Sequence, residues 1–302
     1  MERLHAVITG GASGLGLGCA MRLRQLGYDL TLADVDSVAA EQALATLAKL
    51  PGGGALRSQK VDLAEPMSIA AAAQALNALG QPVDLLVNNA GIYPPAARRV
   101  NAEGHELSFA IAHLGHFRLT HMLWPLLEAA SAARIVSISS LVQRQARINL
   151  DDLSWQHQYV PIHAYQQTKL ACLLFARELQ RRLGSVGHRI SSYAAHPGVC
   201  RTQIGRNRPR SVEDSVQQRI ATTALTVGLR YIGQSPVAGA RSVIAVATTD
   251  EFPPGSLVGP RWLNESFGRP VSIEPGPAAR DPTLAASLWA RTERLTGLHW
   301  TF

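Results

Sequence analysis

Cysteine is scarce and follows no pairing pattern: Cys19, Cys172 and Cys200 are odd in number, widely spaced and without a CxxC. That excludes a disulfide framework and a thiolate metal site, and points to a reducing, cytoplasmic compartment. No apolar run approaches the roughly 18 residues of a membrane span. The N-terminus, MERLHAVITGG, lacks a charged-then-apolar leader with a small-residue cleavage site. Strand-like residues begin by Ala6, so no removable presequence is expected. Charge is also sparse, at 17% of residues with 46% apolar, against a usual charged share of about 25%. A disordered chain is excluded.

Lysine is nearly absent. Lys49, Lys60 and Lys169 leave 26 of the 29 cationic residues as arginine, with a net charge of +7. The densest cationic run, Arg201, Arg206, Arg208 and Arg210, has no interleaved aromatic residues on which bases would stack. The excess reads as a chain-wide preference, and no nucleic-acid partner is expected.

What is present is an alternation of short apolar runs with helix-like segments along 302 residues. Ala6–Thr9, Leu30–Ala33, a run closed by Val61, Val83–Val87, Arg134–Ser139, Ile190–Ala195 and Leu257–Gly259 read as strands. Leu15–Leu26, Val38–Leu50, Met67–Leu79, Ala164–Leu183 and Pro282–Gly297 read as helices. Continuous Val/Ile/Leu strands separated by helices predict an α/β fold, a doubly wound parallel sheet of about seven strands with helices on both faces. No linker, repeat or charge block divides the chain, so residues 1–302 are read as one domain. Pro253-Pro254-Gly255 and Pro275-Gly276-Pro277 read as late loops.

The turn between the first strand and first helix is Thr9-Gly10-Gly11-Ala12-Ser13-Gly14-Leu15-Gly16. Glycines there permit a tight turn and close approach of backbone to a pyrophosphate, and the helix N-terminus offers free N–H groups. Gly10, Ala12, Ser13, Gly14, Leu15 and Gly16 are the candidate phosphate-binding residues. Asp34 ends the second strand, where a carboxylate accepts from both adenosine ribose hydroxyls and repels a 2′-phosphate. With Ser13 supplying no positive charge, NAD is expected over NADP.

These residues resemble the short-chain dehydrogenase/reductase family. Thr9–Gly16 is similar to its TGxxxGxG and Asp62-Leu63 to its adenine-contacting pair. Asn88-Asn89-Ala90-Gly91 is similar to its NNAG, Tyr165 to Lys169 to its YxxxK, and Pro197-Gly198-Val199 with Thr202 to its nicotinamide-holding segment. The stretches Phe109–Phe117, Arg134–Ser140, Asn149–Leu153 and Leu288–Leu298 resemble the retinol-dehydrogenase-like and WW-domain-oxidoreductase-like branch. The resemblance implies a Rossmann-type fold, bound NAD(P), and a hydrophobic alcohol, aldehyde or ketone as substrate. It implies cofactor contacts from Asp62, Leu63, Asn89, Ala90, Gly91, Pro197, Gly198, Val199 and Thr202, and from Tyr165 and Lys169.

The chemistry can be argued independently. Hydride transfer to or from an alcohol carbon needs a group that exchanges the hydroxyl proton. A phenol is a weak base near neutrality, and a nearby cation stabilises its phenolate. Tyr165 and Lys169 lie four apart on a helix and share a face. The resemblance implies tyrosine as acid/base, lysine tuning it, and Ser140 orienting the substrate oxygen; a strand-end cap is the plainer role for that serine.

One position departs from the family pattern. Ala112, in Ile111-Ala112-His113-Leu114-Gly115-His116-Phe117, stands where the resemblance implies an asparagine that supports a water in a proton relay. The Ala112 carbonyl, His113 or His116 would have to compensate, or both histidines are simply packed. An NAD(H)-binding sensor or scaffold with weak or no catalysis therefore stays open as the alternative. Ser140 and Tyr165 are widely separated, and the insertion near 141–163 is expected to flank the active site. It is also expected to cover helices used for pairing, leaving monomer beside homodimer. Residues 205–231 read as a substrate lid. His196 has no metal-spaced partners, and no metal is expected.

Overall fold

Strand burial sets the sheet. In the computed structural model, which describes residues 3–200 and 233–302, all five residues of β1 (His5–Thr9) are buried. Side chains alternate across a strand. Ala6 and Ile8 therefore join one apolar cluster with Leu30, Leu32, Leu85, Val87 and Val136, while Val7 joins another with Ala33, Leu86 and Ile135. Two buried faces require helices on both sides of the sheet. One face is covered by α1 (Gly14–Gln25) and α2 (Ser37–Ala48) through Leu23 and Leu47. The other is covered by α3 (Pro66–Leu79) through Ile69, Ala72 and Leu76.

The remaining strands are β2 (Asp29–Asp34), β3 (Leu56–Lys60), β4 (Leu85–Asn88), β5 (Arg134–Ile138), β6 (Ser191–Ala195), β7 (Leu257–Trp262) and β8 (Phe267–Ile273). Their order is β3-β2-β1-β4-β5-β6-β7-β8. The first seven are mutually parallel, and β8 runs antiparallel to β7. The chain is thus a single α/β Rossmann-like domain, with eight strands among the described residues rather than about seven. The eighth escapes a pattern search because Gly268 and Pro270 interrupt its apolar run; proline lacks the N–H of a central strand and is tolerated at an edge, where β8 lies.

Smaller boundaries also shift. The third strand ends at Lys60, just before Val61, and the fourth begins at Leu85 rather than Val83. Between β4 and β5 the chain forms α4 (Leu107–Phe109), a π-helical stretch Ala110–Gly115, α5 (His116–Met122) and α6 (Trp124–Ala129). The long helix α7 (Pro161–Ser185) starts three residues before the predicted Ala164, because proline fits the first helical turn. Two short helices, α8 (Pro236–Gly239) and α9 (Arg241–Thr248), precede β7, and α10 (Pro282–Thr296) packs on α7.

Trp289 of α10 is 2% exposed among Phe117, Phe175 and Trp300, with the Arg182 guanidinium 4.6 Å from its ring. Among the described residues no helix is long and apolar enough to cross a membrane.

Candidate active site

Strand order reverses between β1 and β4, which opens a crevice outside the carboxyl ends of those strands. A cleft of about 490 Å³ lies there. It is lined by Gly10, Ser13, Gly14, Leu15, Asp34, Asp62, Leu63, Asn89, Ala90, Gly91, Ser140, Tyr165, Lys169, Pro197, Gly198 and Val199, all singled out from the sequence. Ala12 and Gly16, also singled out, are not among its lining residues. Thr202, the Arg201–Arg210 run and the 205–231 segment lie outside the described residues.

The end of the cleft at the glycine turn is built by rivets between β1 and β4. The Asn89 and Ala90 N–H groups donate to Thr9 Oγ1 (2.8 and 3.0 Å), and Asn89 Nδ2 donates to the Thr9 carbonyl (2.7 Å). Gly16 packs against this joint: a Cβ there would stand 2.2 Å from the Gly10 carbonyl oxygen and 2.7 Å from Asn89 Nδ2. Gly16→Ala is accordingly expected to weaken NADH binding by roughly tenfold or more, the scale of an overpacked core. Fluorescence titration with NADH measures this, and unchanged affinity would show that the joint yields.

Ser13 leaves the first N–H groups of α1 uncapped, and a Cβ on Gly14 would meet nothing within 4 Å. An open, donor-rich helix start suits a pyrophosphate. Asp34 Oδ2 accepts from Ala12 N–H at 3.0 Å and Oδ1 from Asp36 N–H at 3.2 Å, so the carboxylate also braces the glycine turn. The residues present therefore fit a dinucleotide.

At the other end, the two serines after β5 separate. Ser139 Oγ donates to the Lys169 carbonyl (2.9 Å) and is buried, whereas Ser140 lines the cleft and its hydroxyl caps nothing. Lys169, 4% exposed, donates through Nζ to the Ile138 carbonyl at 3.1 Å, with Nζ 6.0 Å from the Tyr165 ring centroid. An ammonium has three donors; that bond uses one.

Tyr93 also lines the cleft, and no motif marks it. Its ring lies 5.1 Å from that of Tyr165, and its only sequence signal is an aromatic two residues past Gly91. The insertion is pinned beside this wall by Tyr159 Oη to the Pro95 carbonyl (2.9 Å) and Arg98 Nε to the Ser154 carbonyl (2.8 Å). Leu141, Val142 and Ile162 complete an apolar wall of the cleft.

Ala112 resolves into a defined arrangement. Its carbonyl accepts from His116 Nδ1 (2.9 Å) and Cys172 Sγ (3.2 Å), which occupies both lone pairs. A carbonyl only accepts, so His116 carries its proton on Nδ1, and Nε2 accepts the Thr9 hydroxyl at 2.8 Å. Burial holds His116 down at about 4. His113 donates from Nε2 to Thr292 Oγ1 (2.9 Å), whose own hydroxyl is given to the Leu288 carbonyl, and burial puts it at about 3. Both histidines are neutral packing groups with their protons committed. Among the described residues no His/Cys/Asp/Glu cluster could hold a metal.

Comparison with known proteins agrees with this geometry. Residues 4–213 match the short chain dehydrogenase family. The chain belongs to that family. This short-chain dehydrogenase is 33% identical over 300 residues to polyprenol dehydrogenase of Mus musculus, covering 97% of this chain and 83% of that one. It is 32% identical over 293 residues to human retinol dehydrogenase 13, covering 97% and 84%. In fold it is similar to an uncharacterized protein from Mycobacterium Paratuberculosis, with TM-score 0.77, 33% identity and coverage of 99% and 95%. It is also similar to a short chain dehydrogenase/reductase from Burkholderia phymatum in complex with NAD, with TM-score 0.63, 26% identity and coverage of 82% and 86%. This short-chain dehydrogenase is an NAD(P)-dependent oxidoreductase.

Proposed function

We propose that this short-chain dehydrogenase transfers a hydride between NAD(H) and a hydrophobic alcohol, aldehyde or ketone, with Tyr165 exchanging the hydroxyl proton. One observation carries the reading: Tyr165, Lys169 and Ser140 open into the same cleft as the glycine turn and Asp34. The nicotinamide, when bound, supplies or accepts the hydride. In oxidation the Tyr165 oxygen takes the alcohol proton as the carbinol C–H bond breaks; in reduction it returns that proton to the carbonyl oxygen. Lys169 stabilises the phenolate, and the Ser140 hydroxyl donates to the substrate oxygen. Pro197, Gly198 and Val199 flank the nicotinamide side. The apolar substrate wall and the relatives named for polyprenol and retinol support an apolar substrate.

NAD is favoured over NADP because Asp34 faces the place of the adenosine ribose. Among the described lining residues only Lys169 is cationic, and it stands at the reacting end. A cytoplasmic site of action belongs to the same proposal, supported by three free, buried cysteines.

The test is a panel of apolar alcohols and ketones with NAD(H) and NADP(H). Turnover faster with NAD(H) is expected, and no turnover on any member would overturn the reading. A second reading, an NAD(H) sensor with weak catalysis, is favoured by the spent Ala112 carbonyl. Ala112→Asn separates the two. It is expected to raise kcat roughly tenfold, a fraction of the 10²–10⁴ that acid/base assistance is worth; an unchanged kcat would show that proton supply does not limit the rate.

A further inference from the structure

The turn joining β7 to β8 is backbone-strained and oddly oriented. Leu263, Asn264 and Glu265 are consecutive non-glycine residues at φ +50, +51 and +59, a left-handed conformation that is uncommon for side-chain-bearing residues and clusters at functional sites. The turn holds Leu263 out, 75% exposed, and the acidic Glu265 in, 9% exposed. A surface turn left to itself would place them the other way round.

Inside, the Glu265 carboxylate meets Arg144 and His196, which do not line the cleft themselves but sit on the two segments that contribute Ser140–Val142 and Pro197–Val199 to it. Its Oε1 pairs with Arg144, in the helical turn Leu141–Gln145 that follows Ser140 directly. Its Oε2 lies 3.1 Å from His196 Nε2, close in distance but without the alignment of a full hydrogen bond. The Gly198 N–H donates to His196 Nδ1 at 3.3 Å, so the imidazole proton sits on Nε2 and faces the carboxylate. The backbone of the turn is knitted to the same loop. Val199 N–H donates to the Ser266 carbonyl (3.3 Å), and Gln234 Nε2 bridges the Ser266 and Pro197 carbonyls (2.6 and 3.2 Å). Gly198, at φ +72, admits this approach; a Cβ there would stand 2.4 Å from the Ser266 oxygen.

We propose that Glu265 is a positioning residue: it clamps the turn after Ser140 to the His196–Val199 loop, fixing the substrate-orienting hydroxyl relative to the nicotinamide side of the cleft. The inference rests on the hydride-transfer reading above. Glu265 touches neither substrate nor cofactor; it acts through Arg144 and His196. A carboxylate suits the place because it pairs with the half-exposed Arg144 guanidinium on one side and stands 3.1 Å from His196 Nε2 on the other, while Glu265 itself is 9% exposed.

The test compares Glu265→Ala, Glu265→Gln, Arg144→Ala and Arg144→Lys in the full chain. Four quantities are read: NADH affinity by fluorescence titration, kcat and KM on a substrate found by the panel, and the thermal midpoint. Loosening the clamp is expected to lower kcat about 10²-fold in Glu265→Ala, the scale of a small misplacement at a reacting centre, with a smaller change in KM. NADH affinity is expected to fall roughly tenfold, one step of 1.4 kcal/mol. Glu265→Gln keeps the volume and is expected to fall between, which covers the case where the alanine variant does not fold. Arg144→Lys is expected to recover part of what Arg144→Ala loses. A lowered thermal midpoint with wild-type kcat and NADH affinity in the folded protein would reduce Glu265 to a structural residue and overturn the proposal. Should the wild type turn over nothing, the hydride-transfer reading fails on its own; NADH affinity then decides the clamp, and an unchanged value in Glu265→Ala overturns it.

Discussion

Tyr165→Phe is expected to remove NAD-linked turnover while leaving NADH binding near wild type. The substitution deletes one oxygen and keeps the ring, which is 8% exposed and packs 5.1 Å from Tyr93. The helix that carries it is held elsewhere: Ser139 bonds the Lys169 carbonyl, and Lys169 reaches Ile138. Neither bond passes through the phenol. The loss is expected to be about 10²–10⁴ in kcat, the range for positioned acid/base groups. Steady-state kinetics and an NADH titration on the same preparation check it. Undiminished turnover would end the assignment of Tyr165, and loss of NADH binding would show that the phenol holds the cofactor instead.

Acid is expected to unfold the protein well above the usual carboxylate range. His113, His116 and His196 are held by burial at about 3, about 4 and about 4 respectively. His116 adds the nearby Lys169 charge, and His196 the Arg144 charge. In the unfolded chain each titrates near 6.5. Above that value both states are neutral and nothing is lost. Below it the unfolded chain binds protons that the native one refuses, so stability falls as pH drops from about 6.5 toward 4. Three such groups give a slope approaching about 4 kcal/mol per pH unit near pH 5, against a total stability of about 5–15 kcal/mol. Urea unfolding at a series of pH values between about 8 and 5 reads this directly. A flat midpoint across that interval would mean that the native state admits the protons after all.

That the glycine turn, Asp34 and Asn89 would converge on one cleft was legible in the sequence because the determinants are local. The glycine turn, Asp34 at the end of β2 and Asn89 at the end of β4 each sit at the carboxyl end of a strand, and strand ends converge once the sheet is parallel. Tyr165 and Lys169 share a helix face through spacing alone. Ser140 could be told from Ser139 only in part: adjacent serines at a strand end point to opposite sides, and which side is the cleft depends on α7, whose Lys169 carbonyl takes the Ser139 hydroxyl.

The opposite holds for residues whose role comes from partners far along the chain. Nothing in Ile111–Phe117 says that the Ala112 carbonyl is filled by Cys172, 60 residues later, or that His113 is spent on Thr292, 179 residues later. Glu265 sits between an exposed leucine, an asparagine and a proline-bearing edge strand, in a stretch with the composition of a surface loop. Its inward orientation arises from three left-handed residues and from Arg144, 121 positions upstream.

By itself, the amino-acid order determined the layered α/β architecture, the dinucleotide-type turn and the tyrosine–lysine pair, because hydrophobic periodicity and short spacings act within one element. The packed molecule decided the antiparallel eighth strand, the protonation sites of His113 and His116, and the tie between the Ser140 turn and the Pro197–Val199 loop. Those features depend on which buried donors and acceptors remain to be matched once distant segments meet, and that matching exists only in three dimensions.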